Sequence, residues 1–156
     1  MSRRTIWLIR HAQAEAAAAG ERDRDRALSI FGRRQCRGLR DWLIGRLAGR
    51  SIPTILVSPA LRTRQTAEAL FATISGAEAV IEPRLWEAGR EDLAAILADR
   101  TGDLVLVGHN PGLEQLAGLL AGSLQAMGTA NALEFTEEHP SGWRRTARFQ
   151  PEIDSI

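Results

Sequence analysis

The chain has no lysine and no tyrosine, and its only cysteine is Cys36. Without lysine there is no side-chain amine to form a Schiff base and none to complete a P-loop. A single thiol can form neither an internal disulfide nor a multi-cysteine zinc site. Long apolar runs are also missing: none approaches the roughly 18 residues that a membrane helix needs. The run Ile6–Ile9 is too short for the core of a signal peptide. A cytoplasmic location and no membrane partner are therefore expected. Positive charge is not in excess: the 20 basic residues, all arginine, meet 19 acidic ones, for a net charge of +1. With few aromatics and no recognisable binding module, no nucleic-acid partner is expected, despite Arg33, Arg37 and Arg40.

What is present is an ordinary globular composition, 44% hydrophobic and 25% charged over 156 residues. That length suits one domain, expected over residues 1–156, with a core from about 5 to 149 and a loose tail. A domain of this size buries roughly 70% of its unfolded surface.

Continuous apolar runs mark buried strands at Thr5–Ile9, Thr54–Val57 and Leu104–Val107. Ala79–Ile81 is a shorter strand, and Leu133–Thr136 and Trp143–Phe149 are the last two. The final run alternates in polarity, as an edge strand does. Helical signals lie between them. Ser29 caps a helix to about Ala48, with Cys36, Leu39, Leu43 and Leu47 facing the core. Further helices run from Ala60 to about Ile74, from Glu91 to Arg100, and from Pro111 to about Leu120. Ala12 to about Leu28 is read as a loop. Its run Glu21–Arg26 alternates in charge and is expected to be solvated and self-paired. Strands alternating with helices predict a three-layer α/β/α domain. Its central sheet should be mostly parallel, with antiparallel pairing at a C-terminal edge.

Ligands of open α/β sheets bind beyond the carboxyl ends of the strands. Here three strands end in Arg10-His11, in Ser58-Pro59-Ala60-Leu61-Arg62 and in His109-Asn110. Parallel strands bring these ends together, so two arginines and two histidines converge. Arginine presents a planar donor fork to phosphate oxygens. A neutral imidazole can attack phosphorus, and a second can donate to an oxygen as charge shifts. Ser58 can be read as a nucleophile, but more simply closes its strand before Pro59. The third histidine, His139, lies far along the chain, so no metal ligand set is evident and no cofactor is expected.

Leu8-Ile9-Arg10-His11-Ala12 resembles the Arg-His-Gly signature of the histidine phosphatase superfamily, the phosphoglycerate mutase-like fold. Ser58–Ala67 and Val107–Pro111 resemble its second and third blocks, in the same order. Leu28 and Gly32–Gln35 resemble the segment after its first loop. The resemblance spans about Ile6 to Leu120 and is nearest to the SixA-type phosphohistidine phosphatases. It implies that His11 is the nucleophile, that Arg10, Arg62 and His109 bind the phosphoryl group, and that His109 is the second histidine of the pocket. Leu85-Trp86-Glu87 resembles a segment that supplies the acid in other branches, which makes Glu87 the candidate general acid and Glu15 a second one. Ala12 departs from the signature glycine and matters if that position needs a positive φ.

The expected activity is metal-independent hydrolysis through a phosphohistidine intermediate on His11. The stretch between Arg62 and His109 is too short for a large cap. A small metabolite usually needs one to exclude water. The expected partner is therefore a phosphorylated protein, such as a phosphohistidine domain, and the chain is expected to be a monomer. The alternatives are a phosphatase of small phosphate esters and, in another class, a non-catalytic phosphoprotein-binding module.

Overall fold

The computed structural model describes residues 3–152. Six strands form one sheet: β1 (Thr5–Arg10), β2 (Thr54–Val57), β3 (Ala79–Ile81), β4 (Leu104–Gly108), β5 (Ala132–Glu137) and β6 (Trp143–Phe149). The helices are α1 (Ile30–Leu47), α2 (Leu61–Phe71), α3 (Arg90–Ala98) and α4 (Gly112–Ala121). Short 3-10 turns cover Asp23–Asp25 and Pro83–Leu85. The strand order is β3-β2-β4-β1-β5-β6. The first four strands in that order are parallel, and β5 and β6 run antiparallel along one edge. The fold is the expected α/β class, with its antiparallel pair at the C-terminal edge.

Alternation along the strands divides the core in two. Trp7, Ile9, Ile55, Val57, Val105 and Val107 face α1 and α2, meeting Cys36, Leu39, Leu43, Ala67 and Leu70. Ile6, Leu8, Leu56, Leu104 and Leu106 face α3 and α4, meeting Leu93, Ile96, Leu113 and Leu116. A strand covered on both faces has no polar side to show. Its sequence is therefore continuously apolar, which is why β1 and β4 are so legible. Leu47 and Trp42 are only partly buried at the rim of the first core, Trp42 with its ring 5.9 Å from Phe149.

Ser29 caps α1 as expected: its Oγ accepts from the Gly32 amide at 2.9 Å. α2 ends at Phe71, before the expected Ile74, because the chain tightens there and the Ile74 amide donates to the Phe71 carbonyl. The segment 12–28 is less of a loop than expected. Ala14 and Leu28 form an antiparallel bridge, and the Asp23–Asp25 turn packs on α2. The expected loose tail lies, beyond Glu152, outside the described residues. No helix among the described residues is long and apolar enough to cross a membrane.

Candidate active site

The register places three strand ends side by side. Arg10 of β1 pairs with Gly108 of β4, and Val57 of β2 pairs with Val107 of β4. The residues that follow leave from one edge of the sheet. Arg10, His11, Gln13, Ala14, Arg26, Arg62, His109, Asn110 and Thr129 line one polar cleft of about 350 Å³ there. A larger hollow of about 480 Å³ lies over Gly89–Asp92 and Gln115, but it holds neither histidine nor cysteine. The four side chains expected to converge do so, with the His11 and His109 rings 5.3 Å apart.

His11 is buried at 7% exposure. Its amide donates to the Gly108 carbonyl at 3.1 Å and its carbonyl accepts from the Ala130 amide at 3.0 Å. The ring is fixed by Nδ1, which lies 2.7 Å from the Ala12 carbonyl oxygen. A carbonyl can only accept, so Nδ1 carries the proton and Nε2 keeps its lone pair. Burial pushes the His11 pKa down to about 4. The Ala12 contact opposes this, and Arg62, Arg10 and Arg26 reinforce it. His109 is lowered to about 3, first by burial and then by His11 and Arg62. Both rings are neutral at pH 7.

The arginines are held by some nitrogens and not by others. Arg10 donates through Nη1 to the Met127 carbonyl at 3.0 Å, while its Nε is buried without a partner. Arg62 donates through Nη1 and Nη2 to Asp23, and its Nε is likewise buried and unpartnered. Arg10 and Arg62 line the cleft, and each keeps one buried N–H without an acceptor among the described residues.

α1 clamps the loop after His11. The Gln13 amide donates to Gln35 Oε1 at 2.9 Å, and Ser29 donates to the Gln13 carbonyl. A Cβ at Gly32 would run into that same carbonyl. Ala12 is fully buried, and among the described non-glycine residues only Glu87 and Ala130 have positive φ. The position therefore needs no glycine, and alanine is accommodated without strain.

Glu87 is exposed, stands at φ +55°, and is not among the residues lining the cleft. Its neighbour Trp86 is at the site: its ring lies 5.4 Å from His109, edge to face, with Arg24 at 5.4 Å and Arg62 at 5.7 Å from its centroid. Glu15 is exposed, and its backbone accepts from Arg26 at 3.0 Å. Cys36 is packed in the core, and burial pushes its thiol up to about 11, consistent with a structural role. Among the described residues no three His, Cys, Asp or Glu side chains gather as a metal site would need.

The family model of the histidine phosphatase superfamily, branch 1, matches residues 6–101. The chain belongs to that superfamily. This histidine phosphatase is a hydrolase that removes phosphoryl groups. It is similar to a structure from Agrobacterium tumefaciens provisionally named the phosphohistidine phosphatase SixA. The two are 28% identical, with TM-score 0.85, over 95% of this chain and 98% of that one. A second similar structure is the protein histidine phosphatase SixA complexed with tungstate, at 22% identity and TM-score 0.75, over 94% and 97% of the two chains. A third is a mycobacterial glucosyl-3-phosphoglycerate phosphatase, at 18% and 0.66, over 92% and 97%. The last two likenesses concern the fold alone. No curated protein matches this histidine phosphatase in sequence.

Proposed function

We propose that the chain removes the phosphoryl group from phosphohistidine on a protein, without a metal, through a phosphohistidine of its own on His11. The observation that carries this is the 2.7 Å contact of His11 Nδ1 with the Ala12 carbonyl, which leaves Nε2 as a free lone pair in the cleft. Arg10 and Arg62 hold the phosphoryl oxygens, and His109 donates to a third. His11 Nε2 attacks phosphorus in line, and the phosphorus–nitrogen bond of the substrate breaks. The leaving imidazole keeps the electron pair and takes a proton from water. A second water then attacks the phosphorus on His11, releasing inorganic phosphate and restoring the lone pair. With an ester substrate the leaving alkoxide needs a proton more urgently, and Glu87 is the carboxyl proposed to supply it.

The protein substrate is supported by what stands between Arg62 and His109. That stretch is spent on α2, β3, the Pro83–Leu85 turn and α3, all packed on the sheet or its cores. No additional element is left to close over a metabolite. The reading takes residues 1–156 as one domain working as a monomer in the cytoplasm.

The test compares phosphate release from a phosphohistidine-bearing protein and from an aryl phosphate, with chelator present. A much higher kcat/KM on the protein is expected, and His11→Ala should abolish both activities and the acid-labile phosphoenzyme. Equal or better turnover of the ester would overturn the protein-substrate reading. A phosphoenzyme that survives in His11→Ala would overturn the mechanism.

A further inference from the structure

Ser58 sits behind the cleft rather than in it. It follows β2, and its amide donates to the Val107 carbonyl at 3.1 Å, which fixes it beside the end of β4. It is fully buried and does not line the cleft. Its Oγ lies 2.7 Å from Nε2 of His109. The Ala60 amide points at the same oxygen from 3.4 Å, and Thr63 Oγ1 donates to the Ser58 carbonyl at 2.8 Å.

Two hydrogen arrangements could join Ser58 to His109, and burial separates them. If the ring donated from Nε2, Ser58 Oγ would accept from both the ring and Ala60. Its own hydrogen would then have no acceptor among the described residues, and buried hydroxyls are rarely left so. If the hydroxyl donates to Nε2, the Ala60 amide donates to Oγ, and the hydroxyl and the amide are both paired. The ring proton must then sit on Nδ1.

We infer that Ser58 is a positioning residue whose hydroxyl donates to Nε2 of His109 and thereby holds the ring proton on Nδ1, the nitrogen left for the phosphoryl oxygen. This rests on the reading of His109 as a phosphoryl donor. A neutral imidazole has one N–H, so the tautomer decides whether it can donate or would turn a lone pair on an anion. Depression of the His109 pKa makes that choice matter, because protonation of both nitrogens is not available near pH 7.

The experiment reads the tautomer directly. Long-range proton–nitrogen spectra of the full chain, labelled with nitrogen-15, resolve its three histidines. In the wild type His109 should be a single Nδ1–H tautomer between pH 5 and 8. Ser58→Ala should mix the tautomers and lower kcat on an aryl phosphate on the order of tenfold to hundredfold, with KM little changed. Ser58→Thr, which keeps the hydroxyl, should restore the tautomer and most of the rate. An Nε2–H tautomer in the wild type would overturn the inference, and that measurement needs no variant to fold. A folded Ser58→Ala with wild-type kcat would overturn it as well. His109→Ala with full turnover would instead remove the donor reading on which it rests, and so the two failures are distinguishable.

Discussion

Arg62 gives both of its terminal nitrogens to Asp23. Nη1 donates to the backbone carbonyl at 2.8 Å and Nη2 to the carboxylate at 3.1 Å. The arginine side chain is 6% exposed and the aspartate 61%. The other carboxylate oxygen accepts from Arg26 at 2.9 Å. An anion thus already stands beside two arginines of the cleft. Desolvation alone would raise the Asp23 carboxyl, but Arg62 and the hydrogen bonds from Arg26 and Arg62 outweigh it, and it lies below its ordinary value.

Asp23→Asn should therefore tighten the binding of inorganic phosphate on the order of threefold to tenfold, and lower KM with it. The amide keeps the size, and the backbone carbonyl still holds Nη1. Inhibition by phosphate at two salt concentrations measures the change. A rise in KM would show instead that the carboxylate serves chiefly to hold Arg62 in place.

The two histidines make stability depend on pH. Their folded pKa values, about 4 and about 3, lie below the 6.5 of a free imidazole. Below pH 6.5 the unfolded chain takes up protons that the folded one refuses. Their contribution is therefore intact above about pH 6.5 and is lost as pH falls toward 4 and then 3. Urea midpoints should drop over that window, and the drop should shrink in a His11→Asn, His109→Asn double variant. Neutrality of His11 also predicts that its own titration, followed by nuclear magnetic resonance, appears near pH 4.

Away from the cleft, Glu134 is 1% exposed and accepts from Trp7 Nε1 at 2.9 Å, from Arg46 Nε and Nη2 at 2.9 and 2.6 Å, and from Thr146 Oγ1 at 2.7 Å. Removing one partner of a buried charge strands the other. Arg46 is itself 39% exposed and Glu134 keeps Trp7 and Thr146, so Arg46→Ala should cost about 2 kcal/mol in urea unfolding. Much of that loss should vanish in a Glu134→Gln background, since the stranded charge is gone. Turnover per folded molecule should not change in either.

Gly112 opens α4 where a Cβ would run into the Ala88 carbonyl and press on Leu93 Cδ1 at 3.3 Å. Gly112→Ala should destabilise by about 2 kcal/mol. Because Ala88 lies two residues after Trp86, and Trp86 packs beside His109 and Arg62, activity should fall beyond the loss of folded protein. Thermal melts and kcat of the folded fraction separate the two effects.

β1, β2 and β4 were legible because strands buried on both faces cannot hide their pattern. Arg10, His11, Arg62 and His109 were legible because parallel strands must bring their ends together. Asp23, Arg26 and Trp86 were not. The run Glu21–Arg26 is indeed self-paired, Arg22 with Asp25 at 3.0 Å and Arg26 with Asp23 at 2.9 Å. Yet Asp23 also reaches Arg62, and Arg26 lines the cleft. Alternating charge has no apolar period, so nothing in it says which face a short turn presents to α2. In the sequence Trp86 is marked only as the neighbour of Glu87. The signal available was its place directly after Leu85, which anchors that segment in the second core.

The unpartnered nitrogens of Arg10 and Arg62 have a cost for folding. Each is a polar group that folding has dried without repayment from the protein itself. The cleft is thus one place where the described residues give up stability, as the unpaired nitrogens of Arg100 and Arg148 are elsewhere. Selection for heat resistance alone would fill that cleft with leucine and methionine, and the more durable chain would be inert.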